Sequence, residues 1–148
     1  MEPIGSLAEA KQVEDFRHNR CAEGWQYIGS GAYRSAYLSP SGVVYKRQYS
    51  SDALNGDPYD CNRKEAVLYK EFADKSPNGV RLAPCYLHSN GVLAMEYIDG
   101  ESLDYFQPEP AHLFKLVQQF GAMLNLWDLY GNNIKHCNGE AVIVDYAS

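Results

Sequence analysis

The sequence predicts an α+β fold, with a five-stranded antiparallel sheet and a helix followed by a longer helix and a short hairpin. Three observations predict it. Segments Trp25–Ser30, Tyr33–Ser39 and Val43–Gln48 are rich in β-formers and separated by brief turn-forming stretches. Asn90-Gly91 lies between two apolar runs, a strong hairpin signal. Apolar residues recur at helical spacing over 61–73 and again over 111–127.

Each element has its own justification. Ser6 with Glu9 three positions on fits a capping box, so Leu7 to Asn19 reads as a short helix. The Gly29–Ala32 loop joins the first two strands and Ser39–Gly42 the next pair, which makes an antiparallel meander. Ser51–Asp60 is polar and turn-rich, hence a loop. Cys61 to Ala73 places Ala66, Tyr69 and Phe72 or Ala73 on one face, as an amphipathic helix does. Cys85–Ser89 and Val92–Ile98 supply strands four and five around Asn90-Gly91. A helix over Ala111–Trp127 follows, with Leu113, Leu116, Val117, Phe120 and Leu124 at its spacing. Two short strands, Ile134–His136 and Ala141–Asp145, close the chain around Asn138-Gly139, and Trp25 and Trp127 are expected in the core.

The totals narrow the function. Thirteen basic against 19 acidic residues give a net charge of −6, which argues against nucleic acid or an anionic membrane as the main partner. An anionic small ligand stays compatible, because local lysines and backbone amides outweigh a global average. Cys21, Cys61, Cys85 and Cys137 are far apart with no C-x-x-C, so neither zinc site nor disulfide framework is expected. No apolar run approaches the roughly 18 residues of a membrane span, and "MEPIGSLAEAKQ" lacks the basic start and apolar core of a signal peptide. The expected location is cytoplasmic.

Three residue patterns carry chemistry, and each has a plain reading beside it. Gly29-x-Gly31 is an ordinary hairpin tip or a place where backbone must lie close to a bulky charge. Lys46, in a run of β-formers, is a solvated strand lysine or a phosphate ligand. Glu65, in the first turns of the next helix, is a surface acid or an ion-pair partner. Together and in this order they form the set that a nucleoside triphosphate requires. Glycines let amides approach phosphates, the lysine neutralises α/β-phosphate charge, and the glutamate orients the lysine.

In this combination the sequence resembles the protein-kinase superfamily. "GSGAYRSAY" is similar to its glycine-rich loop, "VVYK" to the strand ending in the phosphate-binding lysine, and "RKEAVLYKEF" to the helix carrying the glutamate partner. "VLAMEYIDGESL" resembles the strand and hinge that hold adenine. "WDLYGNNI" has the Asp-to-Asn spacing of the catalytic loop, and "VIVDYA" resembles the metal-binding D-F-G stretch. The local style, "MEYIDG" and "VIVDY", is closer to RIO-type and aminoglycoside- or choline-kinase-like branches than to typical eukaryotic protein kinases, and the chain also resembles small kinase-like proteins of bacteriophages.

The resemblance implies a single minimal kinase-like domain, with a nucleotide-binding lobe over 1–98 and the hinge exit, helix and catalytic segment over 99–148. It implies ATP and Mg²⁺ as cofactors. The backbone of Gly29, Ser30, Gly31, Ala32 and Tyr33 would cover the phosphates. Lys46 would bind them, and Glu65 would orient Lys46. Met95 would guard the back of the pocket, with Glu96, Tyr97 and Ile98 meeting the base. Asp128 would take the catalytic-base position, and Asn133 and Asp145 would hold the metal. Hydroxyl phosphorylation of a protein acceptor is the implied activity.

Several positions depart from the family pattern. Arg34 stands at the loop's third glycine, Leu126-Trp127 where His-Arg is usual, and Tyr130 where a lysine often follows the catalytic aspartate. Ser148 comes three residues after Asp145, so activation segment, A-P-E motif and most of the helical lobe are expected to be absent. An alternative follows: a pseudokinase-like nucleotide-binding module that acts by docking on a host or partner protein, or by self-association through the face a full lobe would cover.

Overall fold

Ser6 opens the first helix in a computed structural model that describes residues 3–17, 19–31, 33–49, 60–103, 111–126, 129 and 131–146. Its side chain accepts the Glu9 amide at 3.1 Å and starts α1 (Leu7–Val13). The reciprocal half of the capping box takes another form. The Tyr45 hydroxyl accepts the Ser6 N–H at 2.9 Å and donates to Glu9 Oε1 at 2.8 Å, standing between the two capping residues. The helix ends six residues before the expected Asn19, because Asp15 and Phe16 bond back three residues instead of four. That tightening turns Phe16 inward. Arg17 and Arg20 then exchange two backbone bonds around Asn19, whose φ is +61°.

Two units make up the chain, Met1–Ala66 with Pro84–Tyr97, and Val67–Ala83 with Ile98–Ser148. The first holds strands β1 (Gln26–Ser30), β2 (Arg34–Leu38), β3 (Val43–Gln48), β5 (Cys85–Leu87) and β6 (Leu93–Glu96). They form the five-stranded sheet in the order β1-β2-β3-β6-β5, antiparallel throughout. Asn90 and Gly91 turn β5 into β6, with Gly91 at φ +86°.

Because side chains alternate across a strand, the register divides this sheet cleanly into two faces. Tyr37, Tyr45 and Ala94 stand on one, packed with Ala10, Val13 and Phe16 of the α1 segment in a buried core. Phe16 meets Trp25 edge-on at 4.9 Å between centroids and Tyr37 at 5.1 Å. The other face carries Arg34, Ala36, Val44, Lys46, Leu93 and Met95. Helix α2 (Cys61–Phe72) begins at Asp60, whose Oδ1 accepts the Arg63 amide at 3.2 Å. Ala66, Tyr69, Phe72 and Ala73 are only half-buried; the fully buried residues of α2 are Cys61, Asn62 and Glu65, so its deep face is polar and ionic.

The second unit has a four-stranded sheet, β4-β9-β8-β7, from β4 (Val80–Leu82), β7 (Glu101–Leu103), β8 (Gly131–Cys137) and β9 (Glu140–Ile143). β4 runs parallel to β9 and the other pairs are antiparallel. β4 and β7 add to the expected strands; each is three residues long and has its partner far away in sequence. Asn138 (φ +52°) and Gly139 (φ +80°) turn β8 into β9, as their residue types dictate. Helix α3 (Ala111–Met123) stops four residues short of the expected Trp127. Asn125 adopts φ +63° and the Leu126 amide bonds to Gly121 O at 2.8 Å, the left-handed termination that asparagine permits. Leu113, Val117, Phe120, Leu124, Leu126 and Leu129 bury this unit's apolar core.

Among the described residues, no helix is long and apolar enough to cross a membrane. All four cysteines are free thiols. Trp25 is half-buried against the aromatic core; Trp127 and the expected loop over 51–59 lie outside the described residues.

Candidate active site

The first unit gathers its charge around one carboxylate. Glu65 is fully buried, and Lys46 Nζ donates to its Oε1 at 2.6 Å from the middle of β3. Arg34, on the neighbouring β2, donates from Nη1 to the same oxygen at 3.0 Å and from Nη2 to Oε2 at 3.3 Å. Arg34 Nη1 also reaches Asn62 Oδ1 at 3.2 Å. Asn62 and Glu65 are three apart on α2 and therefore share a face. Asn62 Nδ2 in turn donates to the carbonyls of Lys46 at 2.8 Å and Gly91 at 2.9 Å. Its backbone amide meets Gln48 Oε1 at 2.6 Å. The start of α2 is thus bonded to β3 and the β5–β6 turn, with Arg34 adding β2.

Burial pushes the Glu65 carboxyl up, but the charges of Arg34 and Lys46 more than reverse it, and its pKa falls from 4.5 to about 2. The group stays ionised throughout the physiological range. A buried, charged and doubly paired carboxylate is the kind of environment that marks a functional-site candidate.

At the glycine-rich segment the two glycines differ. Gly29 sits at a bulge in β1 with φ +153°, a conformation that side-chain-bearing residues rarely adopt. Gly31 has no such constraint, and a Cβ built on it would meet nothing within 4 Å. Among the described residues the space over Gly31 is open. The segment is fastened by Gly31 N–H to Arg34 O at 2.9 Å and by the Tyr49 hydroxyl to Gly31 O at 3.0 Å. Ser30 Oγ is hydrogen-bonded to the Tyr27 hydroxyl, and Tyr33 is exposed. Ala32 lies outside the described residues.

Met95 is buried in β6 opposite Val44, on the same face as Lys46 and Ala36. This gives that face an apolar stretch beside the charged cluster. Glu96 and Tyr97 are exposed and Ile98 is buried.

The second unit places Asn133 and Asp145 at one end of the β8–β9 hairpin. The Val144 amide donates to Asn133 O at 2.9 Å, extending the ladder past Ile134–Ile143 to the residue before Asp145. The residue after it, Tyr146, is fully buried and donates its hydroxyl to Ala83 O at 2.8 Å. The backbone carrying Asp145 is therefore held on both sides, and its side chain is half-buried. A carboxylate and an amide oxygen are hard donors of the type Mg²⁺ takes. No three His, Cys, Asp or Glu gather at metal-binding spacing among the described residues, so a metal here would complete its shell from solvent or ligand. Asp128 lies outside the described residues.

Arg34 and Asn62 were not legible as site residues. An arginine at the third-glycine position reads as tolerance of a missing glycine, and an asparagine in a first helical turn reads as surface. Only the partners that folding brings to them show otherwise.

No family model matches the chain, and no curated protein matches it. Among solved structures it is similar to PpkA-294 in its apo form, with a TM-score of 0.47 and 15% sequence identity over 90% of this chain. The chain spans 62% of the length of that structure. The five-stranded antiparallel sheet and the three helices make the α+β arrangement that the sequence predicts.

Proposed function

We propose that this chain is an ATP- and Mg²⁺-dependent phosphotransferase of the protein-kinase kind, which passes the γ-phosphate of ATP to a Ser/Thr hydroxyl. The observation that carries the reading is the buried ion pair between Lys46 and Glu65, 2.6 Å apart. Burying charges is expensive, and well-packed apolar side chains stabilise a core as well or better. A fold seeking stability alone has no need of this pair.

On this reading Lys46 neutralises α/β-phosphate charge, Glu65 sets the direction of Lys46, and the open backbone at Gly31 admits the phosphates. Ala36, Val44 and Met95 offer the apolar surface for a purine, with backbone groups of Glu96 to Ile98 for its edge. Asn133 and Asp145 would hold Mg²⁺, which would supply positive charge against the phosphates. Asp128 orients the acceptor hydroxyl and takes its proton. Such a site works by positioning and charge stabilisation, without a covalent enzyme intermediate.

A second reading, a nucleotide-binding module that acts through a partner protein, is favoured by Leu126. At a position where the family has a polar brace, Leu126 is 4% exposed and packs as a core residue. Transfer from labelled ATP separates the two. Lys46→Met and Asp145→Asn should each lower transfer by about 10²–10³-fold while the chain remains folded. Variants that transfer as fast as the parent would overturn the kinase reading, and tight ATP binding without turnover on any protein mixture would favour the module.

A further inference from the structure

We infer that Tyr49 is a positioning residue, whose hydroxyl holds the glycine-rich turn so that the Gly31 carbonyl is kept away from an arriving phosphate. The phosphate half of this statement rests on the proposed function; the tether on the turn does not.

The register shows from which side the tether acts. Tyr49 stands one residue beyond β3, and its amide donates to Tyr33 O at 3.0 Å, which carries the β2–β3 ladder past the Arg34–Gln48 pair. Successive side chains along a strand face opposite ways. Gln48 Oε1 accepts the Asn62 amide of α2 on the face that carries Lys46, so Tyr49 belongs to the opposite face. Ser35 agrees with this: its Oγ donates to the Tyr49 hydroxyl at 3.4 Å, while the preceding Arg34 turns to Glu65. From that face the Tyr49 hydroxyl donates to Gly31 O at 3.0 Å. The tether reaches the turn from behind and leaves the Lys46 side to a ligand.

Joining β1 to β2 does not require this bond, because Gly31 N–H to Arg34 O at 2.9 Å already closes the turn. The composition of the turn gives the tether a purpose. Glycine loses more conformational freedom on ordering than any other residue, and Gly29 and Gly31 both lie here. Ordering them in advance spares a ligand that cost, which strengthens its binding. A carbonyl oxygen also carries negative partial charge, so a Gly31 peptide free to swing would turn a repelling group toward phosphate. Bonding that oxygen from behind fixes which way the peptide faces. Tyrosine suits the task, since a rigid ring with two side-chain torsions is held in place at low entropic cost.

Calorimetric titrations of the full chain with MgATP and with adenosine, beside amide exchange read by NMR, test this. Tyr49→Phe keeps the ring and removes only the donor. It should bind ATP about tenfold more weakly than the parent, with adenosine affinity unchanged, because adenosine brings no phosphate to the turn. The Gly31 amide should exchange faster in the variant while the amides of β6 keep their rates. The inference is overturned if ATP affinity is unchanged or tighter, if ATP and adenosine weaken equally, or if Gly31 exchange does not change. A Tyr49→Phe chain that fails to fold overturns it as well, since the hydroxyl would then be holding the sheet instead of the turn. A parent chain that does not bind ATP sinks the proposed function and the phosphate half with it, and Gly31 exchange then decides the tether by itself.

Discussion

Glu65 makes the pH dependence of the fold predictable. Its pKa is lower in the folded chain, about 2 against 4.5, so the folded state binds fewer protons there than the unfolded one. Stability from this group is therefore fully present above about pH 4.5 and is lost as pH falls toward 2. Urea midpoints measured from pH 5 to pH 2 should fall more steeply for the parent than for Glu65→Gln, which has no charge to lose. Equal slopes would mean that the carboxylate is not ionised in the fold. At neutral pH the ordering of variants carries the same logic. Glu65→Ala strands two buried cations and should cost about 3–5 kcal/mol, whereas Lys46→Met leaves Arg34 on the carboxylate and should cost less.

Helix α2 shows how much of the fold could be read in advance. Its span was legible almost to the residue, because its apolar positions recur at the right interval. Its packing was not. The half-buried Ala66 and Tyr69 give the amphipathic signal, while the buried contacts go through Asn62 and Glu65, which no periodicity of hydrophobic residues reveals. Strands β1 to β3, β5 and β6 were legible from the turns between them. β4 and β7 were not, since three-residue strands owe their existence to partners distant in the chain. The ends of α1 and α3 were misplaced for another reason: apolar spacing continues into Phe16 and past Asn125, where the backbone already follows tertiary contacts. Of the candidate site, Lys46 and Glu65 could be named from their order along the chain, but the grip of Arg34 on Glu65 belongs to three dimensions. Asn62 gives an element-scale prediction. Asn62→Ala leaves the carbonyls of Lys46 and Gly91 without its donors and should destabilise the chain by about 1–3 kcal/mol. Amide exchange in the first turn of α2 should accelerate more than in β1, and uniform acceleration would show that Asn62 does not anchor this helix.

At the scale of the molecule, each unit has its own sheet and its own part of the candidate machinery, the charged cluster on one and the Asn133–Asp145 pair on the other. In the first unit neither face of the sheet is bare, since the start of α2 bonds to one, and Ala10 and Val13 of α1 with Phe16 just beyond it pack on Tyr37 and Tyr45 of the other. The hydroxyl of Tyr45 joins α1 to that second face, between the Ser6 amide and Glu9. Burial pushes this phenol up from 10.0 to about 12, so the fold favours its neutral form, and the stability it lends declines as pH rises through that interval. In strong alkali the phenol becomes a phenolate facing a carboxylate, and the fastening turns into a repulsion. The phenolate absorbance of this one ring, followed against base concentration, therefore doubles as a gauge of α1 release, and Tyr45→Phe should erase its late-titrating step.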